Sequence, residues 1–337
     1  MPRVDGGRAV KSDKSWQYIA ALLCCLPIGT STVAARETHL PVAAGNSDGG
    51  TTFDLAVSEL TSNEIQIFNG TSPASGDWST ILVASLPSLD TSSADRRDGT
   101  CTAVQVGRHV FLTAAHCVHR RPGRTPDPIR LRIGSSWDLK FACSVDAVYA
   151  SEFHTEVPRH EADYALCAID PLARRPEILE SSAPETIDLD GVSPGDQLLG
   201  AGYGCISWSI DPATGRVEYG PVKRVLAVGD FKVAEAAASA DAFFSLADAA
   251  GQSALCAGDS GGPAFRGPTV AQLGAPRRIT GVASYVEPRT HIVRSRFASL
   301  GSARFKIFLA CWLYKNPNSG LQLKQPSNGA PVVAKPC

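Results

Sequence analysis

The chain has 337 residues, of which 44% are hydrophobic and 19% are charged, and this balance excludes a mainly disordered protein. Its formal charge of −1 argues against a role that depends on electrostatic binding to nucleic acids or membrane surfaces. Ten cysteines against one methionine are unusual for a cytosolic protein and indicate an oxidising compartment.

The first 35 residues have the pattern of a secretory signal peptide. Four basic residues come first, namely Arg3, Arg8, Lys11 and Lys14. An apolar run over 18–26 follows, and small residues at 33–35 offer a cleavage site near Ala35. A membrane anchor is the alternative, but a spanning helix needs about 20 apolar residues, roughly twice this run. A lipoprotein site at Cys24 or Cys25 is disfavoured by the bulky Leu23. The mature protein is therefore expected outside the membrane, in an extracellular or periplasmic space.

The chain after the signal peptide divides into a polar segment and a β-rich region. Residues 36–66 are rich in Gly, Ser and Thr and are interpreted as a propeptide. From about residue 78, short β-type runs alternate with Gly, Pro, Asp and Ser. The predicted strands are 104–106, 110–112, 129–133, 145–149, 197–199, 222–228 and 279–286. Many short strands at modest spacing predict a barrel or a sandwich.

The C-terminal part contains one clear helix. After Ser302, a plausible N-cap, the apolar residues Phe305, Phe308, Leu309 and Trp312 recur at helical spacing. The Ala-rich segment 233–250 is compatible with a helix or a strand, and the sequence leaves this open. Residues 316–337 are rich in Pro, Asn, Gly and Ser and predict an irregular tail.

Three short segments carry residues suited to nucleophilic catalysis. They are LTAAHCV at 112–118, EADYAL at 161–166 and CAGDSGGP at 256–263. A serine hydroxyl is a poor nucleophile at neutral pH and needs a general base, which in turn needs an orienting carboxylate. His116 would accept the proton of Ser260, and Asp163 would hold the imidazole in the required tautomer.

These segments resemble the signatures of a known family. TAAHC, DYAL and GDSGGP, in this order, are similar to the three motifs of the trypsin/chymotrypsin family of serine endopeptidases. The resemblance covers roughly residues 67–315. It implies an all-β fold of two six-stranded antiparallel β-barrels with a C-terminal helix. It also implies that the backbone N–H groups of Gly258 and Ser260 form the oxyanion hole. No metal or other cofactor is expected, and the partners would be protein or peptide substrates, without nucleic acid.

Two other readings compete with this one. GDSGG also fits the nucleophile elbow of α/β-hydrolases, which requires an acidic residue and then a histidine after the serine. After Ser260 the chain offers only Glu287 and, four residues later, His291, which is a poor match. The second alternative is a catalytically silent homologue that serves as a binding module. Such a protein usually lacks a catalytic residue, whereas this chain keeps all three.

The eight cysteines that remain after signal removal allow four disulfides. The resemblance implies the pair Cys101–Cys117 beside His116. We further predict that Cys143–Cys167 joins two adjacent strands of the first barrel. No cysteine lies between Cys256 and Cys311, so the usual family partner of Cys256 is missing. Cys205–Cys256 is therefore predicted in its place, together with Cys311–Cys337, which would tie the tail to the helix.

The resemblance also indicates which residues select the substrate. The pocket base would be Ala254, with Leu255 beside it, and one wall would be Ser284, Tyr285 and Val286. Ile292 is expected near the opposite wall. The base carries no charge that could pair with Lys or Arg, and Val286 stands where glycine is usual. The sequence therefore predicts cleavage after small or medium aliphatic residues.

The segment IFNG at 67–70 resembles the start of a mature chain in this family. A cut between Gln66 and Ile67 would free an α-ammonium group, which could pair with the carboxylate of Asp259 beside the nucleophile. An α-amine has a reference pKa near 8, so it is largely charged at neutral pH. The uncut chain would then be a zymogen. Gln66 does not suit a trypsin-like or an aliphatic-preferring enzyme, so a different activating protease is expected. The alternative is an ordinary strand followed by a turn.

Overall fold

The fold is taken from a computed structural model. It describes residues 67, 70–73, 78–85, 100–119, 129–133, 136–152, 162–169, 182–205, 208–210, 217–221, 225–237, 240–248, 252–289 and 292–337. All of them belong to one structural unit, Glu59–Cys337. The predicted signal peptide and propeptide, residues 1–66, lie outside the described residues.

Six antiparallel strands form the first barrel. They are β1 (Ile81–Ser85), β2 (Thr100–Gly107), β3 (Val110–Thr113), β4 (Ile129–Ile133), β5 (Ser136–Val145) and β6 (Ala165–Ile169). Their order is β1-β2-β3-β6-β5-β4, and pairing of β1 with β4 closes the barrel. Bulky apolar side chains fill the interior, where the rings of Phe111 and Phe141 meet edge to face at 4.9 Å.

The second sheet also contains a ring of six strands. Its elements are β7 (Thr186–Asp188), β8 (Gln197–Gly202), β11 (Ala227–Ala236), β12 (Ala242–Asp248), β13 (Pro263–Arg266), β14 (Arg278–Arg289), β15 (Ile292–Ser299) and β16 (Leu323–Lys324); a separate hairpin is formed by β9 (Trp208–Ile210) and β10 (Val217–Tyr219). The order β13-β8-β11-β12-β15-β14 is closed by pairing of β13 with β14. Strands β7 and β16 extend this ring from β14 in parallel. The predicted pair of six-stranded antiparallel barrels is confirmed, with these two parallel strands added.

Two local predictions are resolved by the structure. The predicted strand at 145–149 is wrong, because β5 ends at Val145 and helix α1 (Ala147–Glu152) begins two residues later. Asp146 explains the change: its Oδ1 accepts a hydrogen bond from the backbone N–H of Val148 at 2.8 Å, which favours the start of a helix. The segment at 233–250, left open above, forms the end of β11 and all of β12.

The predicted C-terminal helix is confirmed as α2 (Ala303–Lys315). Ser302 caps it, because its Oγ accepts a hydrogen bond from Phe305 N at 3.0 Å. Its buried face packs on the first barrel, where the rings of Phe305 and Phe308 lie 4.9 and 5.2 Å from the ring of Tyr164. Within the described ranges, no helix combines the length and the apolar character that crossing a membrane requires.

The C-terminal tail is more ordered than the sequence predicts. Residues Leu323–Lys324 form β16 beside β7. The N–H of Gln322 bonds to the carbonyl of Val106 in the first barrel at 3.0 Å, and its carbonyl accepts from Ile187 N at 2.9 Å. The tail therefore connects a strand of the first barrel with the sheet of the second.

A buried carboxylate anchors this connection. Asp188 in β7 is fully buried, and its oxygens lie 3.2 Å from Arg266 Nη1, 3.3 Å from Arg278 Nε and 3.3 Å from Lys324 Nζ. Three cations from β13, β14 and β16 thus converge on one anion. Asp196, by contrast, is 37% exposed and pairs only with Arg266.

Replacing Asp188 by Asn is expected to lower the free energy of unfolding by about 1–3 kcal/mol, because the three cations lose their common anion but remain partly solvated. Asp196→Asn is the matched control and should cost less than about 1 kcal/mol, as exposed pairs do. Urea denaturation measures both changes. Equal effects of the two substitutions would show that Asp188 does not anchor the tail.

Candidate active site

His116 lies on a short 3₁₀ helix, Ala115–Cys117, that directly follows β3. Cys117, the next residue, forms a disulfide with Cys101 in β2. The segment that carries His116 is therefore fixed by β3 on one side and by the disulfide to β2 on the other. The histidine side chain is 35% exposed.

Asp163 lies just before β6 and is fully buried. Its Oδ2 is 2.7 Å from His116 Nδ1, and its Oδ1 accepts the backbone N–H of His116 at 2.8 Å. The hydroxyl of Ser284 donates to Oδ2 at 2.6 Å. The carboxylate thus binds two atoms of His116, the ring Nδ1 and the backbone N, and is itself positioned by Ser284.

The electrostatics keep this carboxylate ionised. Burial raises the pKa of Asp163, but the positive charge of His116 and the hydrogen bonds from His116 and Ser284 outweigh it, so that the pKa lies below its ordinary value. An ionised acceptor at Nδ1 favours the tautomer with the proton on that nitrogen. The other ring nitrogen, Nε2, is then free of a proton and suited to act as a base.

Ser260 lies on a loop whose backbone requires glycine. Gly258 has φ +104°, and a Cβ there would lie 2.9 Å from the Cα of Gly204. Among the described residues, no acceptor is bonded to the backbone N–H of Gly258 or of Ser260. The two groups predicted to form the oxyanion hole are therefore donors without a protein acceptor.

His116 and Ser260 line the same cleft, which has a volume of about 290 Å³. Four of the six predicted pocket residues also line it: Leu255, Ser284, Tyr285 and Val286. Ala254 is fully buried and forms an apolar cluster with Ala247 and Val293, against which Val286 packs. Ala254 is therefore buried in this cluster and is not among the described residues that line the cleft.

Ile292, predicted near the opposite wall of the pocket, lies at an exposed position at the start of β15. Ile292 is 41% exposed and does not line the cleft, whereas the next residue, Val293, is 2% exposed and joins the cluster with Ala254. From Ile292 to Phe297 the buried positions of β15 alternate and are Val293, Ser295 and Phe297, so Ile292 points to the other face of the strand. An assignment one residue out of register reverses the face of every side chain.

Asp259 and Ile67, the predicted activation residues, are both buried. The Asp259 carboxylate accepts hydrogen bonds from Gly204 N and Cys256 N, each at 2.8 Å, and no cation of the described residues pairs with it. Burial raises the pKa of Asp259 to about 8, although the two backbone donors oppose the shift. Ile67 packs in the core of the second barrel with Leu198 and Leu255. Gln66 lies outside the described residues.

The structure joins the eight cysteines in the four predicted pairs, Cys101–Cys117, Cys143–Cys167, Cys205–Cys256 and Cys311–Cys337. Cys143–Cys167 links the neighbouring strands β5 and β6. Cys205–Cys256 fastens the loop that carries Ser260 to the segment that follows β8. Cys311–Cys337 ties the end of the tail to α2.

Three contributions to the site could not be inferred from the sequence. Ser284 was expected only as a pocket wall, but its hydroxyl also binds Asp163. Tyr149 is buried close to the same carboxylate, and burial, together with the charge of Asp163, raises the pKa of its phenol. Thr102 bonds to the carbonyl of Gly258 through its hydroxyl. Each contact joins residues distant in the chain, so no local motif signals it.

Many solved structures are similar to this chain, and three of them serve as examples. The protease Anisep from Arthrobacter nicotinovorans has a TM-score of 0.44 and 12% identity, over 67% of this chain and 92% of its own. The thermostable serine protease AL20 from an extremophilic microorganism has a TM-score of 0.44 and 16% identity, over 66% and 92%. The inactivated protease paralogue S-D1 of the scabies mite has a TM-score of 0.48 and 15% identity, over 72% and 96%.

A search among curated proteins gave no match to this sequence. The Trypsin family model, in contrast, matches residues 67–299. This range contains both barrel rings, His116, Asp163 and Ser260. The chain therefore belongs to the trypsin family.

Proposed function

We propose that the protein is a secreted serine endopeptidase that hydrolyses peptide bonds through an acyl-enzyme. One observation carries the proposal: a buried, ionised Asp163 holds His116 at 2.7 Å in the cleft that Ser260 also lines. This arrangement supplies a nucleophile, a base and an orienting anion together. Such a set activates a serine hydroxyl at neutral pH.

The residues account for each step of acylation. Ser260 Oγ attacks the carbonyl carbon of the substrate while its proton passes to Nε2 of His116. The carbonyl oxygen becomes an oxyanion, and the N–H groups of Gly258 and Ser260 are the donors that would stabilise it. When the C–N bond breaks, the leaving amine takes the proton from His116. Asp163 remains ionised and stabilises the imidazolium.

Deacylation repeats the sequence with water. A water molecule gives a proton to His116 and attacks the acyl carbon, the bond to Ser260 Oγ breaks, and the proton returns to Oγ. The new carboxylic acid leaves and gives its proton to water, and the enzyme regains its starting state. Besides the substrate and water, these proton transfers involve only Ser260 and His116.

Labelling with an organofluorophosphate tests the proposal. The mature protein should be labelled, because Ser260 Oγ bonds to phosphorus and fluoride leaves. Ser260→Ala should take up no label, and Ser193→Ala, at an exposed serine between β7 and β8, should be labelled like the wild type. A mature protein that is not labelled would support the catalytically silent homologue instead.

The cleft supports a preference for small or medium aliphatic side chains. Leu255 and Val286 line it together with Ser260, and Val286 also packs against the buried cluster that contains Ala254. Among the described residues, those that line the cleft carry no carboxylate that could pair with Lys or Arg. Selection among apolar side chains in such a pocket amounts to only about 1–3 kcal/mol, so the preference should be broad.

Val286→Gly is expected to shift the preference toward aromatic residues, because it removes a branched side chain that lines the cleft and so widens it. The ratio of kcat/KM for phenylalanine over valine substrates should rise by about 10-fold or more. Ile292→Ala is the matched control and should leave this ratio unchanged, since Ile292 does not line the cleft. A panel of chromogenic peptides measures both; preferential cleavage after Arg or Lys by the wild type would contradict the proposed specificity.

Secretion and activation complete the proposal. Residues 1–35 would direct export, and the four disulfides fit an extracellular protein. Residues 36–66 would be removed by another protease that cuts after Gln66. The buried Asp259 supports this step, because a carboxyl without a cation in an apolar site would be stabilised by a new ammonium group.

A further inference from the structure

Thr102 lies in β2 and is fully buried, outside the set of residues that carry the proposed reaction. Its hydroxyl donates to the carbonyl oxygen of Gly258 at 3.0 Å and accepts the N–H of Tyr203 at 3.1 Å. Its own N–H bonds to the carbonyl of Ser260 at 2.8 Å. One residue of the first barrel therefore binds both residues whose N–H groups would stabilise the oxyanion.

These contacts fall on Gly258 and Ser260 themselves, in a loop whose other hydrogen bonds hold the neighbouring residues. Gly258 has a backbone conformation that only glycine adopts readily. The carbonyl of Gly258 belongs to the Gly258–Asp259 peptide, and its N–H belongs to the preceding peptide. The two peptides are joined through the backbone torsions of a glycine, so fixing the carbonyl limits how the Gly258 N–H can turn. The disulfide Cys205–Cys256 and the Asp259 carboxylate fasten the loop on either side of Gly258, while the hydroxyl of Thr102 binds Gly258 itself.

We propose that Thr102 is a positioning residue for the oxyanion hole: its hydroxyl fixes the Gly258 peptide against Tyr203 and so directs the oxyanion donors. The inference rests on the proposed hydrolysis at Ser260. Thr102 does not line the cleft, so it acts through Gly258 and not on the substrate. The donors matter most when negative charge develops on the substrate oxygen, so the loss should fall on kcat rather than on KM.

The test compares Thr102→Val, Thr102→Ser and the wild type. Valine keeps the shape of threonine but removes both hydroxyl hydrogen bonds, and serine restores them. With rates normalised by active-site titration, Thr102→Val should lower kcat about 10- to 100-fold, less than the loss of an oxyanion donor itself. KM should change less than about threefold, and Thr102→Ser should recover most of kcat.

Thr113→Val is the matched control. Thr113 is also fully buried, and its hydroxyl donates to the carbonyl of Thr102 at 2.7 Å without touching Gly258. It should lose stability like Thr102→Val but keep kcat per active site. A peptide aldehyde, which forms a tetrahedral adduct, should bind Thr102→Val more weakly by the same factor as kcat/KM falls.

Three results would overturn the inference: full kcat in Thr102→Val, an equal loss in Thr113→Val, or unchanged aldehyde binding. If Thr102→Val does not fold, a comparison of Thr102→Ala with Thr102→Ser tests the same hydroxyl. Equal kcat in these two variants would also overturn the inference. An inactive wild type would contradict the proposed function itself, whereas an active wild type with an unaffected Thr102→Val would contradict only the role of Thr102.

Discussion

Ser260→Ala is expected to lower kcat by about a million-fold, because the acyl-enzyme can no longer form. His116→Ala should lower kcat by a similar factor, since the hydroxyl then has no base. The double variant should be no slower than either single variant, because the two residues act in one step. A residual rate above that of water, about 10³- to 10⁴-fold, should remain from binding and from the donors at Gly258 and Ser260.

Single-turnover kinetics on a p-nitroanilide substrate measure these rates, and thermal unfolding establishes that the variants are folded. Ser193→Ala should keep the rate of the wild type. A loss of kcat in the double variant by a factor equal to the two single-variant factors multiplied together would show that Ser260 and His116 act independently. That result would contradict the proposed transfer of the proton between them.

The sequence could predict those parts of the site that lie in short contiguous motifs. His116, Asp163 and Ser260 each lie in a segment of a few residues. Many short strands broken by turn residues predict a barrel or a sandwich, and the family resemblance of the three motifs implies the two barrels. The helix at Ala303–Lys315 could be predicted equally well, because the spacing of its apolar residues and its cap at Ser302 are local features of the sequence. Such features depend on neighbours within one or two turns of the chain.

The features that were missed depend on register or on distant contacts. Whether Ile292 or Val293 faces the cluster behind the cleft is decided by the pairing of β15 with its neighbours, and no pattern within the strand states it. Asp146 converts an apparent strand into the start of α1 through one side-chain hydrogen bond. Thr102 and Gly258 are 156 residues apart in sequence, and the hydrogen bond between them forms only in the folded protein.

Asp259 leads to a prediction about the pH dependence of the uncut chain. Burial raises its folded pKa to about 8, above the ordinary value of 3.8, so the folded state binds a proton that the unfolded state releases. This contribution to stability is complete below pH 3.8 and is lost as the pH rises toward 8. The free energy of unfolding should therefore fall over this window, and Asp259→Asn should remove that part of the slope. Urea denaturation at a series of pH values measures it.

Release of Ile67 as a new N-terminus should give the buried Asp259 carboxylate a cation to pair with. It should raise kcat/KM by about 10- to 100-fold, the size of a typical coupling between sites. Replacing residues 62–66 by Asp-Asp-Asp-Asp-Lys lets enteropeptidase make the cut at will, so the same sample is assayed before and after. The ammonium would pair with Asp259 and hold its carboxylate ionised. The pairing also raises the pKa of the amine above its reference value near 8, so activity should fall as the pH rises through that higher value.

Two controls separate the charge pair from simple removal of the propeptide. The same replacement at residues 63–67 frees Phe68 instead of Ile67, and this cut should give no increase. Asp259→Asn should likewise abolish the increase, although Ile67 is freed, because an amide cannot balance the ammonium charge. Full activity of the uncut chain, or an equal increase after release of Phe68, would mean that Ile67 serves only to fill the core beside Leu198 and Leu255. The increase in kcat/KM on release of Ile67 can also be measured in Thr102→Val. A larger increase there than in the wild type would indicate that the hydroxyl of Thr102 and the new ammonium stabilise the same loop.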